Sequence, residues 1–272
     1  SDGRGLICMP MTSAWTQKLK LPQQVFNNEA HLKTAFTVSI DAARGITTGI
    51  SASDRCQTIL AACHEKAQPQ DLVRPGHIFP LEARDGGCLV RPGHTEAAVD
   101  LARLAGLKPC AVICEILDKK GEPERLPGLL RLGRKLGIGV YTIRDLVEYQ
   151  LRREPLVQRV SSVSLPTLYG HFHLHVYQSL LPRPEDQTDN DIHLALTHGK
   201  KRFNAKDEPL VRVHAEWSID GILRRLSRPE GSRLNQAMRL ISEQGNGAIV
   251  LLRQTPPLPS ASLLKPPARP AD

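Results

Sequence analysis

The chain has 272 residues, a formal net charge of +8 and a pI of about 9.3, with 40% hydrophobic and 24% charged residues, enough for one large or two modest globular domains. No apolar run approaches the roughly 20 residues that cross a bilayer, and no basic start leads into an apolar stretch, so a soluble, cytoplasmic protein without a membrane partner is expected. Aromatics make up only 4% and do not interleave with basic residues, so nucleic acid is not the expected partner; the basic surface suits small phosphorylated substrates.

The first apolar run, Leu6-Ile7-Cys8, follows Ser1 almost at once and reads as the inside of a domain, so sequence upstream is expected. The six cysteines lie between Cys8 and Cys114 with neither zinc-finger spacing nor a disulfide framework. Five read as buried, reduced thiols, with Cys8 the exception. Residues 35–41 alternate like a half-buried strand, and Thr47 and Thr48 follow beside glycines. Ser53 and Asp54 then offer N-caps for a helix through Ile59, Leu60 and Cys63. Thr95 is read as the cap of a second helix carrying Val99, Leu101 and Leu104 and closing near Gly106. The short apolar run Ala111–Ile116 reads as a buried strand interrupted by Glu115. A helix over Leu126–Leu136 ends at Gly137, Val140–Ile143 reads as a strand, and Asp145 opens a helix to about Arg153. Strands alternating with helices predict a layered α/β (α+β) domain with a mixed sheet over residues 1–153. Beyond the charged stretch Arg152–Pro155, a smaller α/β domain is expected over 154–254. It has strand-like pieces near 160–164, 170–177 and 210–214, a helix with Leu234, Met238 and Ile241 on one face, and a strand at Ala248–Leu252. Residues 255–272 carry six prolines and can bury almost nothing, so a disordered tail or extended linker is expected.

Three features of the first half carry chemistry. Arg74-Pro75-Gly76-His77 places a histidine at the start of an apolar stretch, and Arg91-Pro92-Gly93-His94-Thr95 puts an arginine, a histidine and a hydroxyl at a helix mouth. Backbone amides there favour an anion, and Arg91 adds a fork of donors suited to phosphate. Glu115 sits in an apolar run, where an unpaired carboxylate would be costly and a raised pKa would suit acid–base work. A single histidine near a turn is usually structural and a buried acid is usually salt-bridged. Two parallel Arg-Pro-Gly-His phrases favour an anion pocket with two histidines and a carboxylate.

Gly5-Leu6-Ile7-Cys8, the stretch Phe36–Ala42, the phrase from Thr47 to Arg55, both Arg-Pro-Gly-His phrases and Val112-Ile113-Cys114-Glu115-Ile116 together resemble the 3,4-dihydroxy-2-butanone 4-phosphate synthase family of riboflavin biosynthesis. The likeness keeps the family's order and spacing from Arg4 to about Arg153. It implies a homodimeric lyase with its site near the subunit interface. Such an enzyme converts ribulose 5-phosphate to the four-carbon phosphate and formate, with Mg2+ or Mn2+ stabilising enediolate character. By carry-over, His77 and Glu115 are catalytic, and Arg91, Pro92, Gly93, His94, Thr95 and Glu115 bind substrate. His94 is a metal ligand, while Cys8, Thr48 and Asp54 are weaker pocket candidates. The family's acidic loop, source of the carboxylate ligand, precedes the Gly-Leu-Ile-Cys strand, where this sequence has only Ser1-Asp2-Gly3 before Arg4. An N-terminally truncated enzyme is the expectation.

The second half resembles GTP cyclohydrolase II through Leu165-Pro166-Thr167, Tyr169-Gly170, His193–Leu196, Val211–Glu216 and Leu251–Gln254. The family's three zinc-binding cysteines correspond here to Trp217, Arg228 and Glu230, and no cysteine follows Cys114. A degenerate domain without zinc or hydrolytic chemistry is expected. His171, His173 and His175 alternate along one strand, and a polar outer face opposite Phe172, Leu174 and Val176 explains them better than a metal site. The competing reading of the whole chain is a non-catalytic binding or nucleotide-sensing protein derived from the bifunctional enzyme.

Overall fold

The computed structural model describes residues 3–182, 192–199, 208–216 and 233–253. Trp217, Arg228, Glu230, Gln254 and the proline-rich stretch 255–272 lie outside the described residues. The chain divides into two compact units, Ser1–Glu154 and Pro155–Asp272. Among the described residues no helix is long and apolar enough to cross a membrane. Both sheets combine parallel and antiparallel pairings and carry helices, which is the mixed α/β architecture expected from the sequence.

In the first unit, β1 (Cys8–Thr12) leads into the short helix α1 (Ser13–Lys18). A three-stranded sheet runs in the order β1-β3-β2, with β3 (Leu72–Ala83) parallel to β1 and antiparallel to β2 (Ile40–Ala42). Its core gathers Met9, Met11, Leu19, Ile40, Leu72 and Ile78, with Ala62 of α2 (Ala52–Ala62). The alternating stretch 35–41 forms a regular strand only from Ile40 on. Before that it touches its neighbours through single bridges, Gln23 with Thr37 and Phe36 with Leu81. The cap of α2 is Ser51, not Ser53 or Asp54: the Ser51 hydroxyl accepts the Asp54 N–H at 3.0 Å.

The second helix, α3 (His94–Leu104), starts one residue before the expected cap. Its N-cap is Gly93, and Thr95 is a buried residue of the first turn. Ala111–Ile116 is not a strand: it is held by isolated bridges, Cys8 with Ile113 and Arg4 with Ile116, whose registers differ by one residue. On the Ala111 side the reason lies in β1. Cys8 and Ile113 exchange both backbone hydrogen bonds at 2.9 Å, and Ala111 donates to the Pro10 carbonyl, but proline has no N–H to return. α4 (Leu126–Leu136) ends where expected, at Gly137 with φ 66°. Val140–Ile143 forms no strand. Thr142 and Asp145 close a reciprocal capping box that starts α5 (Ile143–Arg153), and this local pairing prevails over a short β-branched run.

Among the described residues the second unit forms a five-stranded sheet in the order β4-β5-β6-β8-β7. The strands are β4 (Val157–Thr167), β5 (Gly170–Ser179), β6 (Ile192–His198), β7 (Leu210–Glu216) and β8 (Gly247–Arg253). The helix α6 (Arg233–Gln244) lays Leu234, Met238 and Ile241 onto Phe172, Leu194, Leu196, Ile249 and Leu251. On β5, Phe172 is fully buried between the exposed His171 and His173. Both ring nitrogens of His175 are taken up inside the sheet, Nδ1 with Ser162 at 2.8 Å and Nε2 with Thr197 at 3.0 Å. Burial, aided by Arg159 and His173, holds this imidazole below its ordinary pKa.

Candidate active site

The first Arg-Pro-Gly-His phrase is an interruption of β3. Pairing with β2 jumps from Ile40–Ile78 to Asp41–Val73, so residues 74–77 loop out of register. Arg74 braces this bulge by donating from Nη2 to the Leu19 carbonyl at 2.6 Å, and Gly76 donates its N–H to the Ser39 hydroxyl at 3.1 Å. Gly76 is required for space: a Cβ there would lie 2.0 Å from the carbonyl carbon of Ile40. The bulge turns His77 over Asp41. The Asp41 carboxylate accepts the His77 backbone N–H at 3.0 Å through Oδ1 and faces His77 Nδ1 at 2.7 Å through Oδ2.

The loop after β2 backs this pair. Asp54 Oδ2 accepts the Thr47 hydroxyl at 2.7 Å and the Gly49 N–H at 3.0 Å. Led by the Thr47 hydroxyl, these bonds hold the Asp54 carboxyl below its ordinary value. Asp54 is therefore a buried strut of the loop, while Thr48 stands exposed in the turn.

Glu115 is exposed, contrary to the expected buried acid. Its carboxylate is nonetheless fixed: Oε2 accepts the Leu6 N–H at 2.9 Å. Gly5 makes room for it, since a Cβ there would sit 2.5 Å from the Glu115 carbonyl oxygen. Cys8 pairs with Phe79 in β3 and with Ile113 on its other side. Two residues back from Cys8 and from Phe79 stand Leu6 and His77. Glu115, anchored on Leu6, thus belongs to the same end of the β1–β3 pair as His77. Cys8 itself is buried. Burial first, then the Glu115 carboxylate and Cys114, push its thiol up to about 11. Such a thiol stays protonated near neutrality and is a poor nucleophile. The expectation of five buried thiols needs correcting: Cys88 is buried, Cys56 is exposed, and the others are half-buried.

The second phrase forms the mouth of α3. His94 is the first helical residue, and the Gly93 cap supplies no side-chain acceptor for the first-turn N–H groups. Arg91 is already engaged. Its Nη1 donates to the buried Glu96 at 2.6 Å and its Nη2 to the Leu32 carbonyl at 3.0 Å. Glu96 in turn accepts the Arg84 N–H at 2.9 Å. Gly93 rests on this ion pair, where a Cβ would lie 2.5 Å from Arg91 Nη1. Beside His94 a groove of about 630 Å³ opens between α3 and α5, lined by Ala97, Leu101, Leu104, Tyr141, Ile143 and Tyr149. Among the described residues no three His, Cys, Asp or Glu side chains converge to hold a metal ion. His94 offers one nitrogen, and the residues in hand do not complete the oxygen-rich shell of a hard cation.

Asp41, Glu96 and Gly49 were not singled out from the sequence. Asp41 closes the alternating stretch and Glu96 falls in a helix's first turn, both ordinary places for an acid. Only the β3 bulge and the fold of the loop give them partners.

Residues 1–149 match the family described as 3,4-dihydroxy-2-butanone 4-phosphate synthase. The chain belongs to that family. Residues 158–258 match GTP cyclohydrolase II. The riboflavin biosynthesis protein RibBA of Parabacteroides distasonis is 45% identical over 256 residues, covering 93% of this chain and 60% of that protein. A 3,4-dihydroxy-2-butanone 4-phosphate synthase of Pseudomonas aeruginosa is 45% identical over 249 residues, covering 92% and 66%. The chain thus spans about three fifths to two thirds of the length of these relatives. Among solved structures, RibBX of A. baumannii, a two-domain synthase of this name, superposes with a TM-score of 0.68 at 35% identity, covering 97% of this chain and 71% of that one. A synthase in complex with two magnesium ions superposes with a TM-score of 0.55 at 41% identity, covering 56% and 76%.

Proposed function

We propose that the first unit is a lyase that converts ribulose 5-phosphate to 3,4-dihydroxy-2-butanone 4-phosphate and formate in riboflavin biosynthesis. The observation that carries this reading is the anchored carboxylate of Glu115 at the same end of the β1–β3 pair as His77. A carboxylate with one oxygen tied to a backbone N–H keeps the other for proton transfer on a sugar chain, and a histidine nearby shares that work. Arg91, Pro92, Gly93, His94 and Thr95 would hold the phosphate at the α3 mouth. Because Arg91 is committed to Glu96, first-turn N–H groups supply most of the donors and Arg91 shapes the loop. Cys8, Thr48 and Asp54 support the pocket from behind or at its rim.

Mg2+ or Mn2+ is the proposed ion, supported by the two magnesium ions in a related synthase structure, with His94 as one ligand. A homodimer is supported by the groove beside His94, where Leu101, Tyr141 and Tyr149 are exposed at 57%, 85% and 44%. The second unit is proposed to be a degenerate cyclohydrolase domain without zinc, since no cysteine follows Cys114. It would serve stability or regulation in a cytoplasmic enzyme.

The test is formate release from ribulose 5-phosphate with Mg2+, using the full-length protein and Glu115→Gln. The variant is expected to lose roughly 100-fold or more, the scale of a lost general acid–base group. Equal rates would remove Glu115 from the mechanism. The absence of a complete cation site among the described residues favours one alternative, a non-catalytic binding protein. No formate from the full-length wild type would select it.

A further inference from the structure

We propose that Asp41 is the positioning residue of the site: it fixes the ring of His77 so that Nδ1 is anchored inward and Nε2 alone is presented for chemistry. The inference rests on the reading that His77 serves the lyase reaction. Asp41 is only 5% exposed, and its two oxygens grip one residue twice, at the backbone N–H and at Nδ1. A carboxylate bound this way leaves the imidazole no free rotation about its side-chain bonds. It also selects the tautomer with the proton on Nδ1, since a carboxylate oxygen is an acceptor.

His77 Nε2 has no hydrogen-bond partner among the described residues, and the ring is 39% exposed, so this nitrogen is the accessible one. The third element is Gly49. Its φ of 88° suits glycine, and a Cβ there would come within 2.2 Å of Asp41 Oδ2 and 2.6 Å of His77 Nδ1. The loop held by Asp54 therefore closes over the Asp41–His77 hydrogen bond and keeps a side chain or water from prising it open. The role given to Asp41 is orientation alone, because it faces the back of the ring.

The test combines kinetics with nitrogen NMR of the histidine rings in the full-length protein. Wild-type His77 is expected to carry its proton on Nδ1, with Nε2 bare or exchanging. Asp41→Asn is expected to lower kcat for formate release roughly 10- to 100-fold, as when the partner orienting a histidine is removed, with KM changed less than about twofold. It should also move the proton toward Nε2, and Asp41→Glu should restore most of kcat and the wild-type tautomer. Wild-type kcat in Asp41→Asn overturns the proposal, as does an Nε2–H tautomer in the wild type, a measurement that stands even where Asp41→Asn does not fold. Absence of formate release in the wild type defeats the lyase reading, while the tautomer arm still decides whether Asp41 sets the ring.

Discussion

Burial and charge at single residues give this site its chemical character. Cys8, beside Glu115 and Cys114, has its thiol pushed from an ordinary 9.0 up to about 11. A group whose folded value is raised in this way stabilises the fold fully below the unfolded value, and that contribution drains away as pH rises through the folded value. The urea midpoint is therefore expected to fall between about pH 9 and 11. Cys8→Ala should flatten the fall, and Cys88, pushed to about 12 mainly by burial, should sustain the part that remains. Equal slopes for wild type and Cys8→Ala would show that Cys8 titrates normally. His77, His94 and Glu115 stand out in the sequence as candidates because each is a reactive type, although the burial expected of Glu115 is not found. Their partners do not. Asp41 and Leu6 reach them from 36 and 109 positions away, and nothing local announces such a contact.

At the scale of elements, local codes held where their donors and acceptors were close in sequence. α4 stops at Gly137 because a left-handed residue ends a helix cheaply, and that signal is readable. The start of α5 reads as a strand from its β-branched run, although Thr142 and Asp145 carry the capping pattern. Thr142→Ala is expected to cost about 1 kcal/mol of stability, typical of a lost N-cap, read by urea denaturation with unchanged m-value. A cost near zero would mean that packing of α5 outweighs its cap. The failure at Ala111–Ile116 is of another kind. That run looks like a strand, but Pro10 has no N–H to return to Ala111, and the register slips by one residue between the Cys8–Ile113 and Arg4–Ile116 bridges, so only bridges form. Likewise the β3 bulge depends on close approach of Gly76 to the Ile40 backbone, a fact of three dimensions.

For the whole molecule, the mixed α/β architecture was readable because periodicities of two and of three to four alternate along the chain. The outer groove between α3 and α5 was not, since Leu101 and Leu104 look like ordinary core residues of an amphipathic helix. Leu101→Glu is expected to shift the protein from twice its chain mass to the mass of one chain by light scattering. A wild type that already runs as one chain would remove the proposed dimer. The hydrogen bond from Leu6 to Glu115 has a consequence for synthesis. It closes across 109 residues, and at 5–20 residues per second a ribosome needs roughly 5 to 20 seconds between making the two ends. Met9 and Met11 of β1 are destined for full burial, yet the strand emerges about 70 residues ahead of its sheet partner, since Cys8 pairs with Phe79, and Ile113 on its other side follows only near the end of that interval. The nascent chain must keep this oily segment from strangers until the partners are made, so the yield of folded protein should depend on how fast translation runs between β1 and Glu115.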